Sequence, residues 1–165
     1  MQSERNADFD RIDRKIMEIL QNNARISNVD LAHAVGLSPA PCLRRVQALE
    51  ERGVIQGYVA LLDMRSVLLG VETFIQVQMN SQGKSILDVF ENTVKRFPGV
   101  LECYLMTGDW DYMLHVVAQD LDEIQEFLQD NLSQIPGVMR IKTSLAVRRV
   151  IRTNSLPLNH IGPTK

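Results

Sequence analysis

Long hydrophobic runs are missing from this chain of 165 residues. No stretch approaches the roughly 20 apolar residues that a membrane-spanning helix needs. Aromatics are scarce at 5%, so aliphatic side chains must fill the core; at 45%, hydrophobic residues suffice for a packed core in each of two small domains. Cysteine is nearly absent. Cys42 and Cys103 stand far apart, without Cys-x-x-Cys or Cys/His spacing, so neither a zinc site nor a disulfide framework is expected. Both lie among apolar neighbours and read as buried reduced thiols. Charge of either sign is not in excess: the net charge is −2, and residues 1–62 carry eight Lys/Arg against eight Asp/Glu. Attraction to phosphates must then come from a local arginine cluster, multiplied by copies in an oligomer. The amino terminus MQSERNADFDRIDRK is polar, unlike a secretion signal, and a cytoplasmic protein is expected. Catalytic patterns are missing too: there is no GxSxG, P-loop or HExxH. His33, His115 and His160 have no partner at metal-ligand spacing and read as structural or solvated. No enzyme, metal or cofactor is expected.

What is present is a helix grammar at 25–58, RISNVDLAHAVGLSPAPCLRRVQALEERGVIQGY. A first helix from Asp10 carries Ile12, Ile16, Ile19 and Leu20 at helical period and ends at Asn22-Asn23. A second starts at Ser27 or Asn28, with Asp30 in its first turn, and stops at Gly36. The third has Ser38 as N-cap and Pro39 at the first helical position. Cys42, Val46 and Leu49 face inward along it, and Gly53 closes it. Val54–Leu62 is rich in β-formers and reads as a wing strand. This is a winged helix-turn-helix over residues 1–62, preceded by a polar arm at 1–8.

Residues 63–70 read as a linker, with room for one short helical turn. From 71 the pattern becomes strand 71–80, helix 85–97, strands 100–107 and 112–118, helix 121–135 and strand 138–150. This βαββαβ order predicts a ferredoxin-like domain over 71–155, an antiparallel sheet with both helices on one face. RFPGV and QIPGV, at the helix ends, form a weak internal repeat. Residues 156–165 read as a tail. The fold class is α+β. Phe74, Tyr104, Met106 and Leu114 make one or both sheet faces apolar, and a face left open calls for a second copy of the chain.

Two segments could carry function. In the third helix, Ala40, Pro41, Leu43, Arg44 and Gln47 point outward or partly so, and a recognition helix presents its first turns to the major groove. Arg44 and Arg45 can hold guanine edges or phosphates; a lone Arg pair reads first as a solvated charged face, but this one follows a Gly turn and an N-cap, after two short helices and before a wing, and so points to DNA, with pairing of one to Glu50 or Glu51 as the alternative. Arg25, Arg11 and Arg14 suit phosphates or surface ion pairs with Asp10, Asp13 and Glu18. The second segment is MTGDWDY, 106–112. Gly and Asp there suit a hairpin turn. The chain's single Trp beside two carboxylates, with loop N–H groups, also suits an amino-acid zwitterion.

The run DRIDRKIMEILQNNARISNVDLAHAVGLSPAPCLRRVQALEERGVIQGYVALLD, together with a βαββαβ domain carrying GDWDY, resembles the Lrp/AsnC family of transcriptional regulators across roughly residues 8–158. SPAPCLRRV and IQGYVALLD are more similar to the leucine-responsive (Lrp) branch. The resemblance implies double-stranded DNA as partner, homodimers that assemble into octamers on the nucleoid, and an amino-acid effector, leucine or methionine-like, bound at interfaces of the C-terminal (RAM) domain. It implies DNA contacts at Ser38, Ala40, Pro41, Leu43, Arg44, Arg45 and Gln47, with Arg25 nearby. The effector site would comprise Gly108 and Asp111, flanked by Leu105, Met106, Thr107, Asp109, Trp110 and Tyr112, with Ser144 and Leu145 on the last strand. A DNA-architectural protein that answers to no ligand is the alternative.

Overall fold

The computed structural model describes residues 9–161; the arm expected at 1–8 lies outside the described residues. The chain forms two compact units. One holds the residues up to Ala60 together with those from Ile151 onward, and the other is Leu61–Val150.

In the first unit, α1 (Arg11–Asn22) begins at Asp10, whose carboxylate accepts from the N–H groups of Ile12 and Asp13 while Asp13 reaches back to the Asp10 N–H. Such a capping box contributes about 1 kcal/mol. α2 (Asn28–Val35) is capped by the Ser27 side chain and ends at Gly36 with φ 75°, a left-handed turn that glycine adopts without cost. α3 (Pro39–Glu51) follows. Ser38 stands at its N-cap but makes no side-chain capping bond. The N–H that would donate belongs to position N3, and N3 here is Pro41. Ile16, Met17, Leu31, Ala32, Val35, Cys42 and Leu49 form the buried core of the three helices.

The wing segment departs from expectation. Residues 54–62 hold no strand, because none of the described elements of this unit offers a strand to pair with. Tyr58 instead donates its hydroxyl to Glu50 Oε1 at 2.8 Å, tying the segment to the end of α3.

In the second unit, a 3₁₀ turn at Arg65–Val67 leads to β1 (Val71–Met79). α4 (Lys84–Val94), β2 (Val100–Leu105), β3 (Tyr112–Ala118), α5 (Leu121–Glu126) and β4 (Val138–Leu145) complete the βαββαβ order. The sheet order is β2-β3-β1-β4, with all neighbours antiparallel. After α5 the chain continues through a π-helical stretch, Phe127–Asn131, and a 3₁₀ turn, Leu132–Gln134. The two repeat glycines occupy matching places: the Gly99 carbonyl accepts from Val117 N–H and the Gly137 carbonyl from Asn80 N–H.

Alternation along the strands assigns the two faces. Ile75, Val77, Met79, Tyr112, Leu114 and Val116 pack with Phe90, Val94, Ile124 and Leu132 beneath the helices. Leu114 therefore lies on the covered face, contrary to one reading of it as open. The open face carries Phe74, Tyr104 and His115 with several charged groups, so it is mixed in character rather than simply apolar. Cys42 is buried as expected; Cys103 is exposed, because β2 is an edge strand that no neighbour covers on its outer side.

Candidate functional site

On α3, positions 40, 43, 44 and 47 are spaced i, i+3, i+4, i+7 and share one face. Ala40, Leu43, Arg44 and Gln47 are all exposed there, as is Ser38 before it; Pro41 is half-buried. The Asn28 side chain donates to the Pro39 carbonyl at 2.8 Å and fixes how α3 leaves the turn. Arg44 has no partner among the described residues. Arg45 differs. Its Nη1 lies 2.7 Å from both Asp10 Oδ2 and Asp13 Oδ1 at the start of α1. The Asp13 carboxylate, helped by Asp10, raises the Arg45 pKa above its ordinary value. The backbone N–H of Asp13, with Arg45 adding to it, holds the Asp10 carboxyl below the usual carboxylate range. Arg45 thus clamps the recognition helix to α1; neither Glu50 nor Glu51 is its partner. Arg25 is exposed, and its side chain has no partner among the described residues. Arg14 pairs with Glu18 at 2.7 Å, which places it on the surface ion-pair side of the two readings.

In the second unit, the loop between β2 and β3 is held open from within. Met106 N–H donates to the Asp111 carbonyl at 2.8 Å and Asp111 N–H to the Val77 carbonyl at 3.0 Å. The Asp111 side chain is buried. Its Oδ2 accepts from Met79 N–H at 2.7 Å and its Oδ1 from Gln82 Nε2 at 2.8 Å. Both oxygens therefore brace the turn after β1, and Asp111 is not a free carboxylate for a ligand ammonium. Asp109 is exposed and has no partner among the described residues. The N–H groups of Thr107, Gly108, Asp109 and Trp110 likewise have no protein acceptor among them. Gly108 makes this possible with φ 112°, a backbone state that side chains resist. Trp110 receives the guanidinium of Arg140 over its ring, 5.6 Å from the centroid. Tyr112 is fully buried, packs its ring against Phe90 in a tilted arrangement with centroids 4.4 Å apart, and donates to Glu91 Oε1 at 2.9 Å. Burial and Glu91 push its phenol upward. It is a core residue. Leu105 and Met106 are exposed.

Ser144 and Leu145 are not beside this loop. They pair with Phe74 and Thr73, whereas Arg140, next to Trp110, pairs with Gln78. Ser144 stands four residue steps along the strand from Arg140, about 13 Å. One chain therefore carries the expected effector residues as two separated halves.

Arg140 and Gln82 were not legible as site residues, because each acts on a loop residue remote in sequence, Arg140 on Trp110 and Gln82 on Asp111. A further group on the open sheet face also escaped notice: Glu72 bonds Arg149, and its Oε1 lies 2.6 Å from His115 Nε2, while His115 stacks on Phe74 at 4.8 Å. Burial raises the Glu72 carboxyl, but Arg149 and His115 together outweigh that and hold it below the usual range. Among the described residues no cluster suits a metal ion and no helix is long and apolar enough to cross a membrane.

Comparison with known proteins agrees with both units. Residues 72–156 match the Lrp/AsnC ligand binding domain and residues 9–56 a winged helix-turn-helix DNA-binding domain. The chain belongs to the Lrp/AsnC family. Its relatives are transcriptional regulators, not enzymes. The leucine-responsive regulatory protein of Escherichia coli (strain K12) is 38% identical over 149 residues, 90% of this chain and 91% of that one. The Bkd operon transcriptional regulator of Pseudomonas aeruginosa is 44% identical over 152 residues, 92% and 99% of the two. Among solved structures, a transcriptional regulator of Neisseria meningitidis in complex with L-Met superposes with a TM-score of 0.88 at 39% identity, covering 92% of this chain and 98% of its own. This Lrp/AsnC regulator thus joins a DNA-binding unit to a ligand-binding one.

Proposed function

We propose that the protein regulates transcription of genes of amino-acid metabolism, reading DNA with α3 and answering to a small apolar amino acid, leucine or methionine. The observation that carries this reading is the loop at 107–110: four unsatisfied N–H groups, the open Asp109 carboxylate and the Trp110–Arg140 pair lie together. The N–H groups and Arg140 suit an α-carboxylate, and Asp109 suits an α-ammonium. Ser144 and Leu145 complete the pocket from a second copy, so the effector site forms in a homodimer or a larger assembly, up to an octamer. The L-Met complex of the Neisseria regulator supports an apolar amino acid as ligand. On DNA, Arg44 reads a base or a phosphate, with Ser38, Ala40, Pro41, Leu43, Gln47 and Arg25 around it, and the protein works in the cytoplasm on the nucleoid.

A second reading has one observation in its favour. Asp111, which the family pattern points to, is already satisfied by Met79 and Gln82, as suits an architectural protein without a ligand. A thermal-shift panel of the twenty amino acids at millimolar concentration separates the two. A ligand at a hundred times its Kd stabilises the folded assembly by about 2.7 kcal/mol. A rise in Tm with leucine or methionine is expected; no rise with any amino acid would sink the sensor reading and leave the architectural one.

A further inference from the structure

We infer that residues 151–161 are a strap that belongs to the DNA-binding unit and sets the position of the recognition helix through α1. The segment continues directly from the second unit, yet residues 155–161 bond to and pack on the first. Gln21 uses both ends of its amide on one residue: Leu156 N–H donates to Gln21 Oε1 at 2.6 Å, and Gln21 Nε2 donates to the Leu156 carbonyl at 3.4 Å. Ser155 donates its hydroxyl to Asn22 Oδ1 at 3.3 Å. Nearer the amino end of α1, Arg14 donates to Asn159 Oδ1 at 3.0 Å and to the Ile161 carbonyl at 3.4 Å. A turn closed by Ile161 N–H on the Leu158 carbonyl brings both side chains down onto the helical core. The strap is therefore pinned along α1 by polar ties and anchored by two apolar side chains.

The same helix holds the recognition helix. Asp10 and Asp13 on α1 grip Arg45 of α3, while Arg14, Gln21 and Asn22 grip the strap. α1 thus links the two. The part of this unit that ends at Ala60 has a small core, and small domains depend on every added apolar anchor. Two anchors from the far end of the sequence matter here, because the chain passes between the units twice, near Ala60 and near Ile151.

The test compares the full-length protein with the double variant Leu158→Ala/Ile161→Ala and with Gln21→Ala, which removes no core side chain. Amide hydrogen exchange is followed in all elements. Affinity for a short random-sequence duplex at low salt is read alongside. In the double variant, exchange across α1 and α3 should quicken about tenfold, with β1 to β4 unchanged, and DNA affinity should fall about fivefold. Gln21→Ala should shift both in the same direction by less. Unchanged exchange in α3 with unchanged DNA affinity in the double variant overturns the proposal. Should the double variant lose its fold in the first unit, Gln21→Ala decides: wild-type α3 exchange and DNA affinity there overturn it equally. No amino acid is added, so a failed effector reading leaves this result standing.

Discussion

The two units present their candidate sites in opposite ways. In the first, Ser38, Ala40, Leu43, Arg44 and Gln47 stand on one short helix, exposed and side by side; the surface is whole in a single chain. In the second, the loop at 106–111 and the residues Ser144 and Leu145 sit at different ends of the sheet, tied to Val77 on one side and to Thr73 and Phe74 on the other. A site written on one helix needs only that helix to fold. A site split across a sheet needs another copy to bring its halves together. On the proposed function, DNA contact would be a property of the unit and effector binding a property of the assembly.

That contrast is broken most severely at Asp111. Asp111→Ala removes a buried carboxylate and leaves the Met79 N–H without an acceptor. A loss of about 2 kcal/mol in unfolding free energy is expected, measured by urea denaturation. Asp109→Ala, on the exposed side of the same loop, should leave stability unchanged and weaken amino-acid binding in a calorimeter. Equal stability loss in both variants would show that the two acids share one role.

A smaller effect separates Arg44 from Arg45. Arg44→Ala should cut affinity for a duplex selected from a random pool by about tenfold, the cost of one lost arginine contact to a base, without moving Tm. Arg45→Ala should lower stability by about 1 kcal/mol, since its pairs are partly solvated, and weaken DNA binding only through a loosened α3. If Arg45→Ala lowered DNA affinity with Tm intact, the clamp assigned to Arg45 would be wrong.

The fold was largely legible, and for a local reason. Ser27, Gly36, Ser38 and Pro39 announce helix ends through their own backbone chemistry, and the periods of the strands and of α4 give the βαββαβ order without any knowledge of partners. The wing was not, because a strand needs a neighbour that sequence alone does not supply; Val54–Leu62 has the composition of one and lacks the ladder. The role of Arg45 was hidden since its acids lie 32 residues or more away. Asp111 misled for the same reason. A carboxylate in a Gly-rich turn looks free until Met79 and Gln82 are found beneath it. Which of the motif residues are occupied by the fold itself was decided by tertiary contacts.

The smallest effect, on pH, tests whether the two units share one kind of clamp. Each holds a carboxylate below its ordinary pKa: Asp10 beside Asp13 N–H and Arg45 in the first, Glu72 beside Arg149 and His115 in the second, where the pairing overcomes burial. A group with a depressed folded pKa binds protons more readily in the unfolded chain as pH falls. Its stabilisation is therefore complete above the ordinary values of 3.8 for Asp10 and 4.5 for Glu72, and is lost as pH drops through the lower folded values. The urea midpoint should be insensitive to these two groups from neutrality down to about pH 5 and decline below that. Glu72→Gln should flatten the decline as read by Trp110 fluorescence, and Asp10→Asn as read by amide exchange in α1 and α3. If either variant declined as steeply as wild type by its own probe, that carboxylate would not be a clamp, and the likeness between the two units would end at their shared chain.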